Sequence, residues 1–112
     1  MEVIRRQALP SLCPLAGRSE TPVTIALVQS RWYRDEAVHK EQLASGVAAA
    51  ANAGAHIVFL PELTLSRYPA DSRPTGQADA TAEPLEGGPT HCFAAELAAQ
   101  NDVLVHASLF EK

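Results

Sequence analysis

Three short apolar runs, at residues 23–29, 56–60 and 103–107, punctuate the chain. The first run, Val23 to Gln29, is rich in β-branched residues and almost wholly apolar, the pattern of a strand covered on both faces. A polar loop follows from Ser30 to Arg34, and Asp35 is placed to cap a helix that runs to about Ala53. Leu43, Val47, Ala50 and Ala51 fall at i, i+4, i+7 and i+8 of that helix and make one apolar stripe. Gly54 then ends it in a left-handed conformation.

The second strand, His56 to Leu60, begins two residues later, so strand, helix and strand form a right-handed βαβ unit. After it comes an irregular region, residues 63–89, with Pro69, Pro74, Pro84, Pro89, Gly76, Gly87 and Gly88, and with acidic Asp71, Asp79, Glu83 and Glu86. A loop of that length in a compact domain is usually a lid or a binding loop, and Leu63, Leu65 and Tyr68 anchor its start. A second helix starts at Pro89 and Thr90, stacks Phe93 on Leu97, and finds a C′ residue in Asn101. Residues 103–107 are the third strand. The order β-α-β-loop-α-β places the chain in the α/β class.

Composition narrows this picture. The 112 residues support one domain, and much of the 46% hydrophobic content is alanine, with aromatics at only 5%. Alanine buries little area, so the three runs must carry a thin core, which suits part of a larger fold. A net charge of −4 and a pI near 5.5 argue against nucleic acid or an anionic membrane as partner. No apolar run approaches the ~20 residues that span a bilayer. Arg5 and Arg6 precede an apolar stretch broken by Pro10, Cys13 and Pro14, a poor signal-peptide core. Residues 1–21 therefore read as a disordered leader or a start codon assigned too early, ahead of a domain portion at 22–112. Cys13 and Cys92 make no disulfide framework, and the simplest location is the cytoplasm.

The chemistry concentrates at Glu62. The apolar strand runs into Pro61, which cannot donate to a continuing ladder, so the carboxylate is delivered at the strand's C-terminal lip. Ligands of α/β proteins bind at that edge. By itself, a carboxylate there is more often structural, pairing with an arginine or accepting loop amides. Cys92 adjoins His91, but neighbours on a helix point about 100° apart, so the pair reads as half-buried packing. Cys13 lies in the leader and is incidental. His39, His56, His91 and His106 never fall in an i, i+4 ligand pair, which argues against a metal. Gly87, Gly88, Pro89 and Thr90 lack the Lys-Ser/Thr of a phosphate loop and read as a turn and helix start. Arg67 and Tyr68 either line a pocket or cover the loop base.

The residues also carry a resemblance. Val23 to Gln29 is similar to the opening strand of the nitrilase-type carbon–nitrogen hydrolases. Phe59, Leu60, Pro61, Glu62, Leu63, Thr64, Leu65, Ser66, Arg67, Tyr68 and Pro69 resemble that family's first catalytic motif. Gly88-Pro89-Thr90, the helix with Glu96-Leu97-Ala98, Val103-Leu104-Val105 and the run Ser108 to Lys112 resemble the segment after it. Residues 22–112 are covered, in order and with matching spacing. Many relatives have glycine where Arg67 stands, a departure that bears on substrate preference.

The resemblance implies the N-terminal portion of a four-layer α-β-β-α sandwich whose active site uses Glu, Lys and Cys. Of these only the glutamate's position is present, at Glu62. It implies hydrolysis of a small amide, carbamoyl compound or nitrile by thiol acyl-enzyme chemistry, with Glu62 as general base and no metal or organic cofactor. Tyr68 would contact substrate, and relatives imply a homo-oligomer. Without the lysine and thiol, the 112 residues alone are expected to be inactive and poorly folded. A non-catalytic module that keeps the same sandwich is the alternative. A flavodoxin-like nucleotide binder suffers from the lack of a glycine-rich loop after the first strand.

Overall fold

The structure is a computed structural model that describes residues 1–7, 9, 22–71, 73, 76 and 81–112. Its elements run β1 (Ile25–Leu27), α1 (Glu36–Asn52), β2 (Ile57–Phe59), α2 (Pro89–Asn101) and β3 (Leu104–His106), with a 3₁₀ turn at Pro69–Asp71. This is the order expected from the sequence, and the class is α/β. Most of the expected leader, residues 8 and 10–21, lies outside the described residues, as do Pro74 and Asp79 of the long loop.

The regular strands are shorter than the apolar runs because the chain turns away at both ends of each ladder. Bonding nevertheless continues past the ends: His56 N donates to Thr24 O (2.8 Å), Val28 N to Phe59 O (2.9 Å) and Leu60 N to His106 O (2.9 Å). The sheet is parallel throughout, in the order β1-β2-β3.

Local chemistry sets the helix limits. Asp35 caps α1, accepting from Val38 N at 3.1 Å. Glu36 pairs with Lys40 one turn on, and the Lys40 hydrogen bond and charge hold the Glu36 carboxyl below its usual range. Both side chains are solvated enough that the pair adds little stability. At the other end Gly54 takes φ +90°. Gly54 N donates to Ala51 O and Ala55 N to Ala50 O, the two crossed bonds that close a helix at a left-handed residue. Arg5 also reaches this end, with Nη2 donating to Ala53 O at 3.2 Å, a cation where the helix dipole favours one.

The expected stripe on α1 is buried at Leu43, Val47 and Ala50, but Ala51 is only partly covered, and His39 and Gly46 complete the stripe instead. Gly46 lets α1 press onto β1: a Cβ there would lie 2.7 Å from Val28 Cγ1.

Helix α2 begins at Pro89, as expected, behind Gly88, which has no side chain to cap it. Glu83 caps it from the preceding loop. Its Oε2 accepts from Thr90 N (2.8 Å) and its Oε1 from Thr90 Oγ1 (2.5 Å), with both residues buried. Gly88 is pressed so closely here that a Cβ would stand 2.2 Å from Pro84 O, a backbone atom with no freedom to swing aside. Gly88→Ala should therefore cost about 1–3 kcal/mol or more by overpacking, measured as a lowered denaturation midpoint of the whole protein. An unchanged midpoint would refute the close approach. The left-handed residue that ends α2 is Asp102 (φ +52°), not Asn101, because Asn101 remains helical and donates Nδ2 to Leu97 O. Asp tolerates that conformation nearly as well as Asn.

Both helices lie on one face of the sheet. Successive right-handed crossovers stepping the same way across a sheet must place them so. In the middle register row Val58 is fully buried, with Ala26 and Val105 packed around the same core as Leu43, Val47 and Leu97. The alternate rows hold Ile25, Ile57 and Leu104, then Leu27, Phe59 and His106. Ile25, Leu27 and Leu104 are 59%, 74% and 68% exposed, so the expectation that β1 is covered on both faces is corrected. Among the described residues, one layer of helices covers one face only.

Candidate active site

The C-terminal edge of a parallel sheet gathers the chain's chemistry, and here it is built by the loop that leaves β2. Leu60 is buried, Pro61 ends the ladder, and Glu62 follows with an exposed side chain. Among the described residues no hydrogen bond or ion pair holds its carboxylate. The lip on which it stands opens to solvent.

The backbone on either side of Glu62 is held firmly. Leu63 sits at φ +51°, a conformation that a branched side chain adopts only under constraint. Leu63 N donates to Ser108 Oγ (3.1 Å), and Ser66 N closes a turn onto Leu63 O (2.9 Å). Thr64, only 1% exposed, is bonded from three directions. Its N donates to Ser108 O (2.9 Å), while its Oγ1 donates to Pro61 O (3.1 Å) and accepts from Ser108 N (3.0 Å). The remaining bond joins Thr64 O to His39 Nε2 of α1 at 2.9 Å. Glu62 thus projects from a segment stitched to the end of β3 and to α1.

Beside it, Val28, Gln29, Ser30, Arg31 and Pro61 line an open cleft of about 470 Å³. Arg31 of this lining and Arg67 of the β2 loop each lie over an aromatic ring of the β1–α1 loop. The Arg31 guanidinium lies 4.6 Å from the Tyr33 ring centre and that of Arg67 lies 5.8 Å from Trp32. Arg67 thereby stands over the β1–α1 loop. Tyr68, a candidate substrate contact, is 49% exposed next to it.

The other candidates fall elsewhere. Cys92 is exposed, not half-buried, because it sits at the start of α2 with Sγ 3.5 Å from Gly87 O. His91 turns to the same glycine, Nδ1 accepting from Gly87 N at 2.7 Å, so the two side chains serve the turn rather than each other. His56 Nδ1 accepts from Thr24 N, and the His106 ring lies against Phe59 at 5.0 Å. Cys13 lies outside the described residues. Among the described residues no three His, Cys, Asp or Glu side chains are grouped to hold a metal ion, and no helix is long and apolar enough to cross a membrane.

Sequence reading passed over His39, Thr64 and Ser108. The last two carry a local signal, a hydroxyl just past a strand end, where such residues bond loop backbone. Their pairing across 44 residues has no local signature. His39 was weighed only as a metal ligand, yet its place on the buried stripe at i−4 from Leu43 marked it as a core residue in need of a partner.

No curated protein and no solved structure matches the chain. The family profile described as Carbon-nitrogen hydrolase matches residues 24–112. That span takes in all three strands, both helices and the clamped loop bearing Glu62, and the chain belongs to the carbon–nitrogen hydrolase family.

Proposed function

We propose that the protein hydrolyses a small amide, carbamoyl compound or nitrile, with Glu62 moving protons for a thiol nucleophile. The observation that carries this reading is the placement of Glu62 at the sheet's C-terminal edge, between clamped neighbours and next to a left-handed Leu63. Strain beside a solvent-facing carboxylate is costly, of order 1–3 kcal/mol, and is retained where geometry matters. Family membership supplies the reaction class.

The steps follow from the chemistry of a thiol, which near pKa 8.5 is mostly protonated at neutral pH. With an amide or carbamoyl compound, Glu62 takes the S–H proton as sulfur attacks the carbonyl carbon, and a lysine steadies the oxyanion. A nitrile carbon attacked in the same way gives a thioimidate, which adds one water before it follows the same course. The proton then passes to the leaving nitrogen, the C–N bond breaks, and a thioester remains. Glu62 next removes a proton from water, which attacks the thioester, and the proton returns to the departing sulfur. Cys92 is bound up with the α2 turn and Lys40 with Glu36, so in this reading the nucleophile and the lysine are groups other than these two. Substrate enters by the cleft at Pro61, where Tyr68 and Arg67 flank the loop.

The exposure of Glu62 favours one second reading, a module that keeps the fold and binds without catalysis. Ammonia release from a panel of primary amides, N-carbamoyl compounds and nitriles separates the two. The expected result is turnover with a covalent acyl adduct on a cysteine, seen by mass spectrometry of the quenched protein. Binding of panel members with neither ammonia nor adduct would establish the module instead.

A further inference from the structure

We propose that His39 is a positioning residue for Glu62, donating one N–H from α1 to the carbonyl of Thr64; this rests on the reading of Glu62 as the working carboxylate. His39 is 4% exposed, and its Nε2 stands 2.9 Å from Thr64 O. A carbonyl oxygen only accepts, so the bond requires hydrogen on Nε2 and fixes the tautomer. In the neutral imidazole Nδ1 is then the lone-pair nitrogen, and among the described residues it is buried without a hydrogen-bond partner. The slot is closed by Trp32 and Tyr33, whose ring centres lie 6.4 Å and 6.3 Å from that of His39.

That arrangement is expensive as packing alone. Leu43, Val47 and Ala50 fill the rest of the stripe, and another apolar side chain at position 39 would bury no unsatisfied nitrogen. What the imidazole adds is a single directed bond to a residue two positions past Glu62. Thr64 passes the constraint on, since its hydroxyl holds Pro61 O and its amide holds Ser108. With the donor removed, the buried Thr64 carbonyl has nothing to accept from inside the aromatic slot, and the loop must shift to reach water. A displacement near 1 Å in a reacting group costs on the order of 100-fold in rate.

The test uses the protein carrying this chain. His39→Leu fills the slot without a donor, whereas the Nε2 of His39→Gln reaches about as far as the imidazole Nε2. Hydrogen exchange is followed at residues 61–68 against α1 and α2, together with kcat and KM. With His39→Leu, exchange at 61–68 should rise at least about tenfold while the helices hold. Its kcat should fall about 10- to 100-fold with KM nearly constant, and His39→Gln should restore both. Unchanged exchange at 61–68, or a Gln variant no better than Leu, overturns the proposal. If the Leu variant does not fold, NMR of the isotope-labelled imidazole in the native protein decides: an Nε2–H tautomer supports the clamp and an Nδ1–H tautomer overturns it. Should exchange respond while turnover ignores Glu62→Gln, the clamp stands and the reading of Glu62 falls.

Discussion

Glutamine at position 62 is expected to lower kcat by about 10²- to 10⁴-fold, the usual contribution of a placed general acid–base. The substitution is close to isosteric and removes one ionisable group. Among the described residues the Glu62 carboxylate has no partner, and the bonds that shape its loop come from Leu63, Thr64 and Ser108. Stability should therefore stay within about 0.5 kcal/mol of the native protein, as for other exposed changes. A rate loss without a stability loss reads chemistry alone. The acyl adduct should also fail to form, because the thiol has no base. Turnover within twofold of native would remove Glu62 from the mechanism, whatever the fate of the family assignment.

The second large effect concerns the sheet. The 112 residues in isolation should bind a hydrophobic dye, self-associate with rising concentration and melt without a sharp transition. Five apolar side chains, Ile25, Leu27, Ile57, Phe59 and Leu104, share the face that no helix among the described residues covers, and Ile25, Leu27 and Leu104 are largely exposed there. Burying a large apolar side chain is worth ~2 kcal/mol, so those three alone withhold roughly 6 kcal/mol. A whole domain's net stability is only about 5–15 kcal/mol. The deficit is thus comparable with the stability itself. A second layer on this face, as in a four-layer sandwich, would supply what is missing. Leu27→Lys with Leu104→Lys should suppress the association of the isolated chain while destabilising any protein in which the face is covered. A sharp, dye-free melt of the unmodified 112 residues would show that the single layer suffices.

Much of this architecture was legible because its determinants are local. Asp35, Gly54 and Pro89 each act within a turn of their own position, and each does in the structure what its residue type implies. Errors arose where two local choices were nearly equal, as with Asn101 and Asp102. They also arose where composition could not report on layers. The apolar run of β1 is the same whether one face is covered or two, and only the placement of both helices on one side distinguishes them. The place of Glu62 at the sheet's edge was legible because a strand running into proline announces an edge. Its supports were not, since His39 lies 25 residues from Thr64 and Ser108 lies 44. A hydrogen bond across such distances leaves no periodicity in the chain.

Because Ser108 closes the loop at Thr64, the carboxylate's surroundings are completed only after residue 108 has been made. At roughly 5–20 residues per second, Glu62 emerges several seconds before its partner strand exists to receive it. Helix α1 and its cap can form in that interval from nearby contacts, whereas the Leu63 amide has no bond to Ser108 until β3 pairs with β2. A nascent chain whose third strand fails to dock leaves Leu63 and Thr64 without their bonds to Ser108.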